Sequence, residues 1–300
     1  MLLAGTGRKS NRALHLMLLP GLFLTLVYFY GPMFGLVMSF QNFNPVKGFL
    51  RSEWVGLENF KYVFRMPDFS QAFWNTLYIS ILKIVFGILV PLILALLINE
   101  VSRKGFSKLV QTSIFIPYFL SWTILGSIVI EIFSLDGPVN SLLKLAGLEQ
   151  TMFMTDNKWF PIIVVISDIW KGAGYYMIIY LAAITSIDQS LYEAAKVDGG
   201  GRWLQMLNIT LPAMAPIIIL TITLSLGGIL NAGFEQILVL YNPIVYQSGD
   251  IIDTFVYRIG ITNSQYSPAA AVGLFKSAIS FVLVSLSYFL AYKFNDYRIF

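Results

Sequence analysis

Long apolar runs separated by short polar stretches dominate the chain. Crossing a bilayer as a helix takes about 20 mostly apolar residues, and six runs reach that length: residues 14–39, 74–98, 109–133, 159–185, 211–235 and 269–293. None alternates with the period of two that marks a membrane barrel strand. Backbone polar groups in lipid must be satisfied within a helix or a closed barrel, so the runs predict six transmembrane helices. The expected fold is an all-α polytopic membrane protein, with residues 1–300 forming a single transmembrane domain.

The segments between the runs alternate in charge. Arg8, Lys9 and Arg12 precede the first run, Arg103, Lys104 and Lys108 fill the short second connection, Lys196 and Arg202 lie in the fourth, and Arg298 follows the last. The other connections carry acids as well, including Glu53, Glu58, Asp68, Asp250 and Asp253. Short basic loops stay on the cytoplasmic side, so both termini and the connection around Glu193 are expected there. The apolar core from Leu14 to Phe40 exceeds the roughly 7–15 residues of a signal-peptide core, which predicts that the first helix is retained.

Composition agrees and narrows the function. Hydrophobic residues are 57% of the 300 and charged residues 12%, against roughly 25% charged in an ordinary soluble domain. The net charge of +4 is dispersed over the loops, so nucleic acid is not an expected partner; lipid is. Without cysteine, disulfides, thiolate metal sites and cysteine nucleophiles are excluded. The single His15 borders the first run and reads as an interfacial side chain. Gly5-Thr6-Gly7-Arg8-Lys9-Ser10 lacks the spacing of a phosphate loop, and no strand precedes it. No metal site and no nucleotide site are expected on this chain.

The fourth connection, residues 188–210, is unusual. Ser190 followed by Glu193 fits a capping box, with Asp188 as a rival N-cap, and Gly199 stands where a left-handed residue would end a helix. Trp203, Leu204 and Leu207 give a second amphipathic turn, and Pro212 suits the first turn of the next span. A helix of about nine residues is too short to be stable alone, so something must brace it.

The spacing Glu193-Ala194-Ala195, three residues, Gly199, nine residues, Ile209, one residue, Leu211-Pro212 resembles the EAA signature of permease subunits from binding-protein-dependent ABC importers. The resemblance extends to the six-run layout and is strongest to the carbohydrate branch: maltose-permease-like subunits, especially those of oligosaccharide and polysaccharide importers. The large extracytoplasmic insertion of some maltose-type subunits is absent. The resemblance implies the type I importer permease fold in a bacterial cytoplasmic membrane. It implies a coupling helix docked on a separate ATPase, with Glu193, Ala194, Ala195, Asp198, Gly199, Leu211 and Pro212 as the coupling positions. The implied partners are a second homologous permease, two cytosolic ATPase subunits holding ATP and Mg, an extracytoplasmic solute-binding protein and a carbohydrate substrate.

Ionisable side chains inside spans are costly and by default functional. Here they are Lys83, Glu131, Asp168, Lys171, Glu235 and Lys276. Asp168 and Lys171 are three apart and share a helical face; Trp170 and Tyr175 are near them. Gly227, Gly228, Asn231, Gly233, Phe234 and Glu235 crowd the fifth run, where so much glycine favours a kink or an unwound stretch beside a cavity. Hydroxyl-binding groups and aromatic faces suit a sugar, so Asp168, Trp170, Lys171, Tyr175, Asn231, Phe234, Glu235 and Lys276 form the candidate substrate pathway. The competing reading of the same residues is packing: an intrahelical Asp168–Lys171 pair, glycines at helix contacts, and snorkelling of Glu131 and Glu235. Lys83 is equally suited to a contact with a partner subunit.

Two function classes stand against the ATP-driven importer. One is an ion-coupled secondary transporter relaying protons through Asp168, Lys171 and Glu235, which leaves the capped connection without a purpose. The other is an intramembrane enzyme, for which the sequence offers no nucleophile beside a base and no cofactor motif.

Overall fold

A computed structural model gives the fold for residues 7–295, with side chains described for residues 14–289. Arg298, Gly5 and Thr6 lie outside the described residues, as do the side chains of Arg8, Lys9 and Arg12. The protein is mostly helical. In chain order the elements used below are α1 (Gly7–Thr25), β1 (Gln41–Asn42), β2 (Glu53–Trp54), α2 (Glu58–Phe64), α3 (Pro67–Asn99), α4 (Lys104–Phe115), α5 (Trp122–Ile132), α6 (Trp159–Thr185), α7 (Gln189–Val197), α8 (Leu211–Gly227), α9 (Phe234–Leu240) and α10 (Tyr266–Asn295).

Among the described residues five helices are long and apolar enough to cross a membrane: Leu14–Phe40, Pro67–Asn99, Trp159–Thr185, Arg202–Gly227 and Tyr266–Phe289. A sixth crossing exists only if Lys104–Phe119 and Trp122–Ile132, bent by 108°, count as one span. The run at 109–133 is therefore not one straight helix. Pro117 supplies no amide hydrogen, Leu120 is extended, and Ser121 caps a new helix by accepting from the Ile124 amide at 3.3 Å. The run at 211–235 breaks where its glycines led us to expect: its helix stops at Gly227, and a separate short helix starts at Phe234. The all-α expectation gives way at one small place, the two-stranded ladder pairing Gln41 with Trp54 and Asn42 with Glu53.

The chain divides into two compact units, Met1–Arg65 with Val256–Phe275 and Met66–Phe255 with Lys276–Phe300. In the first, α1 continues through a π turn at Leu26–Tyr30, closed by the Gly31 amide on the Leu26 carbonyl, and a 3₁₀ stretch to Phe40. None of its apolar window is buried, as suits a surface solvated by lipid. The hairpin is anchored by Asn59, whose amide donates to the Ser39 and Gln41 carbonyls at 3.0 and 2.9 Å. Phe40 stacks on Trp54 beside it.

In the second unit α3 and α6 run against each other. One apolar cluster gathers Ile79, Phe160, Val164 and Ile237; another gathers Ala95, Met177, Tyr180 and Met214. Ile79 and Ala95 are sixteen positions apart on α3, about 24 Å along a helix, and the polar residues of the site lie between them. Gly174 lets α6 meet the end of α4, because a Cβ there would stand 2.6 Å from the Ile114 carbonyl oxygen.

Candidate functional site

A cavity of about 230 Å³ opens between the two apolar clusters of the second unit. Helix α3 contributes Ser80 and Lys83, α6 contributes Asp168 and Tyr176, and α8 contributes Ser225. Its remaining wall is the non-helical break after α8, lined by Asn231 and by Gly228 and Gly233, which have only main chain to offer. The break forms because two glycines end α8 and Gly233 adopts φ +96°, a left-handed conformation that side-chain-bearing residues disfavour.

The polar groups around the break are tightly partnered. Lys83 donates to Asp168 Oδ1 at 3.2 Å, to the Ala232 carbonyl at 2.7 Å and to Gln236 Oε1. Gln236, wholly buried, donates from its other end to the Val164 carbonyl at 2.7 Å and Ser167 Oγ at 2.8 Å. On the far flank Lys276 donates to Asn231 Oδ1 at 2.7 Å and Asp253 Oδ1 at 2.6 Å. Asp168 keeps 37% of its side chain exposed, so the carboxylate is held from one side and open on the other.

This geometry corrects the Asp168–Lys171 pair expected from helical spacing: Asp168 pairs with Lys83 across to α3. Lys171 instead caps the bend between α4 and α5, donating to the Tyr118 and Leu120 carbonyls and lying 5.5 Å from the Trp122 ring centroid. Carbonyls freed by a bent helix need such a donor. Of the candidate pathway residues, Asp168 and Asn231 line the cavity, and Lys276 reaches it through Asn231. Trp170 is exposed, Tyr175 stacks on Tyr118 at 4.8 Å, and Phe234 and Glu235 begin α9 with Glu235 exposed; none of these four, nor Lys171, lines it. Sequence reasoning missed Gln236, Ser80, Tyr176 and Ser225. Only the Lys83–Asp168 pairing left a signal, since buried charges find opposite partners. Among the described residues no group of three or more His, Cys, Asp or Glu is placed to hold a metal ion.

A second constellation lies in the connection from α6 to α8. Helix α7 is capped by Asp188, whose carboxylate accepts from the Ser190 amide at 2.9 Å. That hydrogen bond holds the Asp188 carboxyl below its ordinary value. The Ser190–Glu193 capping box is thus replaced by its rival, because the aspartate one residue ahead of the helix takes the free amide; Glu193 stands exposed. At the other end Gly200 N–H meets the Ala195 carbonyl at 2.7 Å, and Gly199 N–H meets that of Lys196 at 3.1 Å. This is the Schellman pattern, with Gly199 at φ +79° as expected.

Tyr192 OH bonds Thr210 Oγ1 at 2.9 Å, Gln205 donates to the Gly200 carbonyl at 2.8 Å, and Arg202 pairs with Glu100 at 3.3 Å. The elbow is therefore braced from below. Its outer face exposes Ala194, Asp198, Leu191, Val197 at 87% and Trp203 at 76%; Ala195 is half-buried, and Leu211 and Pro212 open the next helix.

Comparison with known proteins gives the family. The chain matches the family model described as binding-protein-dependent transport system inner membrane component over residues 87–299. It is 43% identical over 288 residues to the polygalacturonan/rhamnogalacturonan transport system permease protein YteP of Bacillus subtilis (strain 168), covering 96% of this chain and 90% of that one. A crystal structure of a bacterial ABC transporter involved in the import of the acidic polysaccharide alginate superposes with TM-score 0.89 at 39% identity, over 96% of this chain and 97% of that one. A second, of the alginate transporter in complex with alginate pentasaccharide-bound periplasmic protein, gives 0.87 at 39%, over 95% and 96%. A self-sufficient ion-coupled carrier and an enzyme both give way to this result. The chain belongs to the inner-membrane components of binding-protein-dependent transport systems, as an ABC transporter permease.

Proposed function

We propose that this permease imports oligosaccharides, the acidic, uronate-rich chains of its relatives' systems among them. The observation that carries the proposal is the polar cavity at the break of the fifth span, where Asp168, Asn231, Ser225 and exposed main chain offer hydrogen bonds suited to sugar hydroxyls. At about 230 Å³ it is smaller than the roughly 300–1,000 Å³ pockets that enclose a drug-sized ligand. Similarity to permeases of polygalacturonan and alginate systems supports the acidic class.

In this reading the chain makes six crossings, the bent α4–α5 pair counting as one, with both termini and the α7 elbow on the cytoplasmic side. There the exposed Leu191, Val197 and Trp203 face meets a separate ATPase, with Glu193 and Gly199 transmitting its closure. Two such ATPases holding ATP and Mg, a second homologous permease and an extracytoplasmic binding protein complete the assembly in a bacterial plasma membrane. ATP moves the bundle between inward and outward states only through its different affinity for the two.

The test is purification of the chain with its companions, reconstitution into proteoliposomes, and uptake of labelled oligogalacturonate carried by the co-purified binding protein. Uptake that requires ATP supports the reading. Uptake of a neutral oligosaccharide alone would remove the acidic class, and uptake without companions would remove the whole proposal.

A further inference from the structure

We propose that Lys83 is a positioning residue of the cavity: its ammonium holds the break in the fifth span open, so that main chain rather than helix forms the wall. This rests on the cavity being the transport site.

The ammonium has three N–H donors, and all three are taken: by Asp168, the Ala232 carbonyl and Gln236. Only 9% of its side chain is exposed. Two of those partners flank Gly233, and the third belongs to the opposing helix α6. The site is built around the lysine. A Cβ on Gly233 would lie 2.8 Å from Lys83 Nζ and 3.2 Å from Gln236 Oε1. Gly233 thus serves twice, by its left-handed backbone and by leaving room for the ammonium.

Gln236 extends the anchor, since both hydrogens of its amide are spent on Val164 and Ser167 of α6. The break is fixed to α3 through the Lys83 nitrogen and to α6 through that nitrogen and the Gln236 amide together. Lys276 grips the neighbouring Asn231 from α10 but through a side chain alone; Lys83 is the contact that holds the main chain.

A simpler role for Lys83 is neutralising Asp168, and the two roles separate by experiment. In Lys83→Met, studied within the purified transporter assembly in lipid nanodiscs, amide hydrogen exchange over residues 228–233 rises about tenfold, as loss of a charged hydrogen bond does. The cores of α3 and α6 keep their rates. Gly233→Ala, which leaves the lysine in place but crowds it, gives the same local signature. The double variant Lys83→Met/Asp168→Asn, with both charges gone, stays fast.

Where labelled oligogalacturonate is carried, KM rises about tenfold while the maximal rate per assembled complex stays within about twofold. Unchanged exchange over 228–233, acceleration spread through the whole unit, or recovery in the double variant overturns the proposal. Exchange needs no substrate, so a wrong choice of sugar leaves this result intact.

Discussion

Glycine 199 shows how much a single position can carry. Its φ of +79° ends α7, and nothing lies within 4 Å of where a Cβ would stand. Substitution there costs backbone strain alone, about 1 kcal/mol or somewhat more, with no clash to confuse the result. Gly199→Ala is accordingly expected to leave membrane insertion and expression unchanged. It should lower transport-stimulated ATPase activity of the reconstituted complex severalfold; activity equal to the unmodified chain would show that the turn does not need its left-handed residue. Residues like this one are legible from sequence because their demand is local. Asp168 is the opposite case: its spacing from Lys171 pointed along its own helix, while its partner sits 85 positions away on α3. Only packing reveals such a pair, because i,i+3 spacing makes a contact available without making it the best one.

At the scale of elements, α7 is nine residues long, below the roughly 12–15 that an isolated helix needs. It persists because Asp188, the Gly199–Gly200 turn, Tyr192–Thr210 and Gln205 each satisfy a terminus or a face. Its exposed Glu193 contributes to none of these braces. Glu193→Lys is therefore expected to preserve the fold and insertion of the chain while reducing co-purification of the ATPase and uptake about tenfold or more, as loss of a central charged contact does. Undiminished co-purification would remove Glu193 from the docking face.

Sequence missed the bend in the run at 109–133 but read the break in the run at 211–235 from its glycines. Apolar runs at 109–133 and 211–235 satisfy the length rule, yet hydropathy is blind to where main chain is hydrogen-bonded by side chains. Lys171 donates to carbonyls at the α4–α5 bend and Lys83 to one at the break before α9, each from a neighbouring unbroken helix, so within the broken runs themselves only the glycines of the fifth were a visible sign. The run at 159–185, whose one internal proline, Pro161, falls in the first turn, became α6 (Trp159–Thr185) residue for residue.

For the molecule as a whole, the second unit joins a polar cavity to a braced, exposed elbow, with only Ser186 and Ile187 between the end of α6 and the Asp188 cap, and Asp168 lying along the length of α6. The helix that lines the cavity thus leads directly into the elbow. The absence of cysteine from all 300 residues makes one position a clean reporter. Val197, 87% exposed on the outer face of α7, can be replaced by cysteine and probed with a membrane-impermeant maleimide. The account predicts no labelling in intact cells, rapid labelling in inverted vesicles stripped of peripheral proteins, and protection once the ATPase is restored. Labelling from outside intact cells, or equal labelling with and without the ATPase, would contradict it.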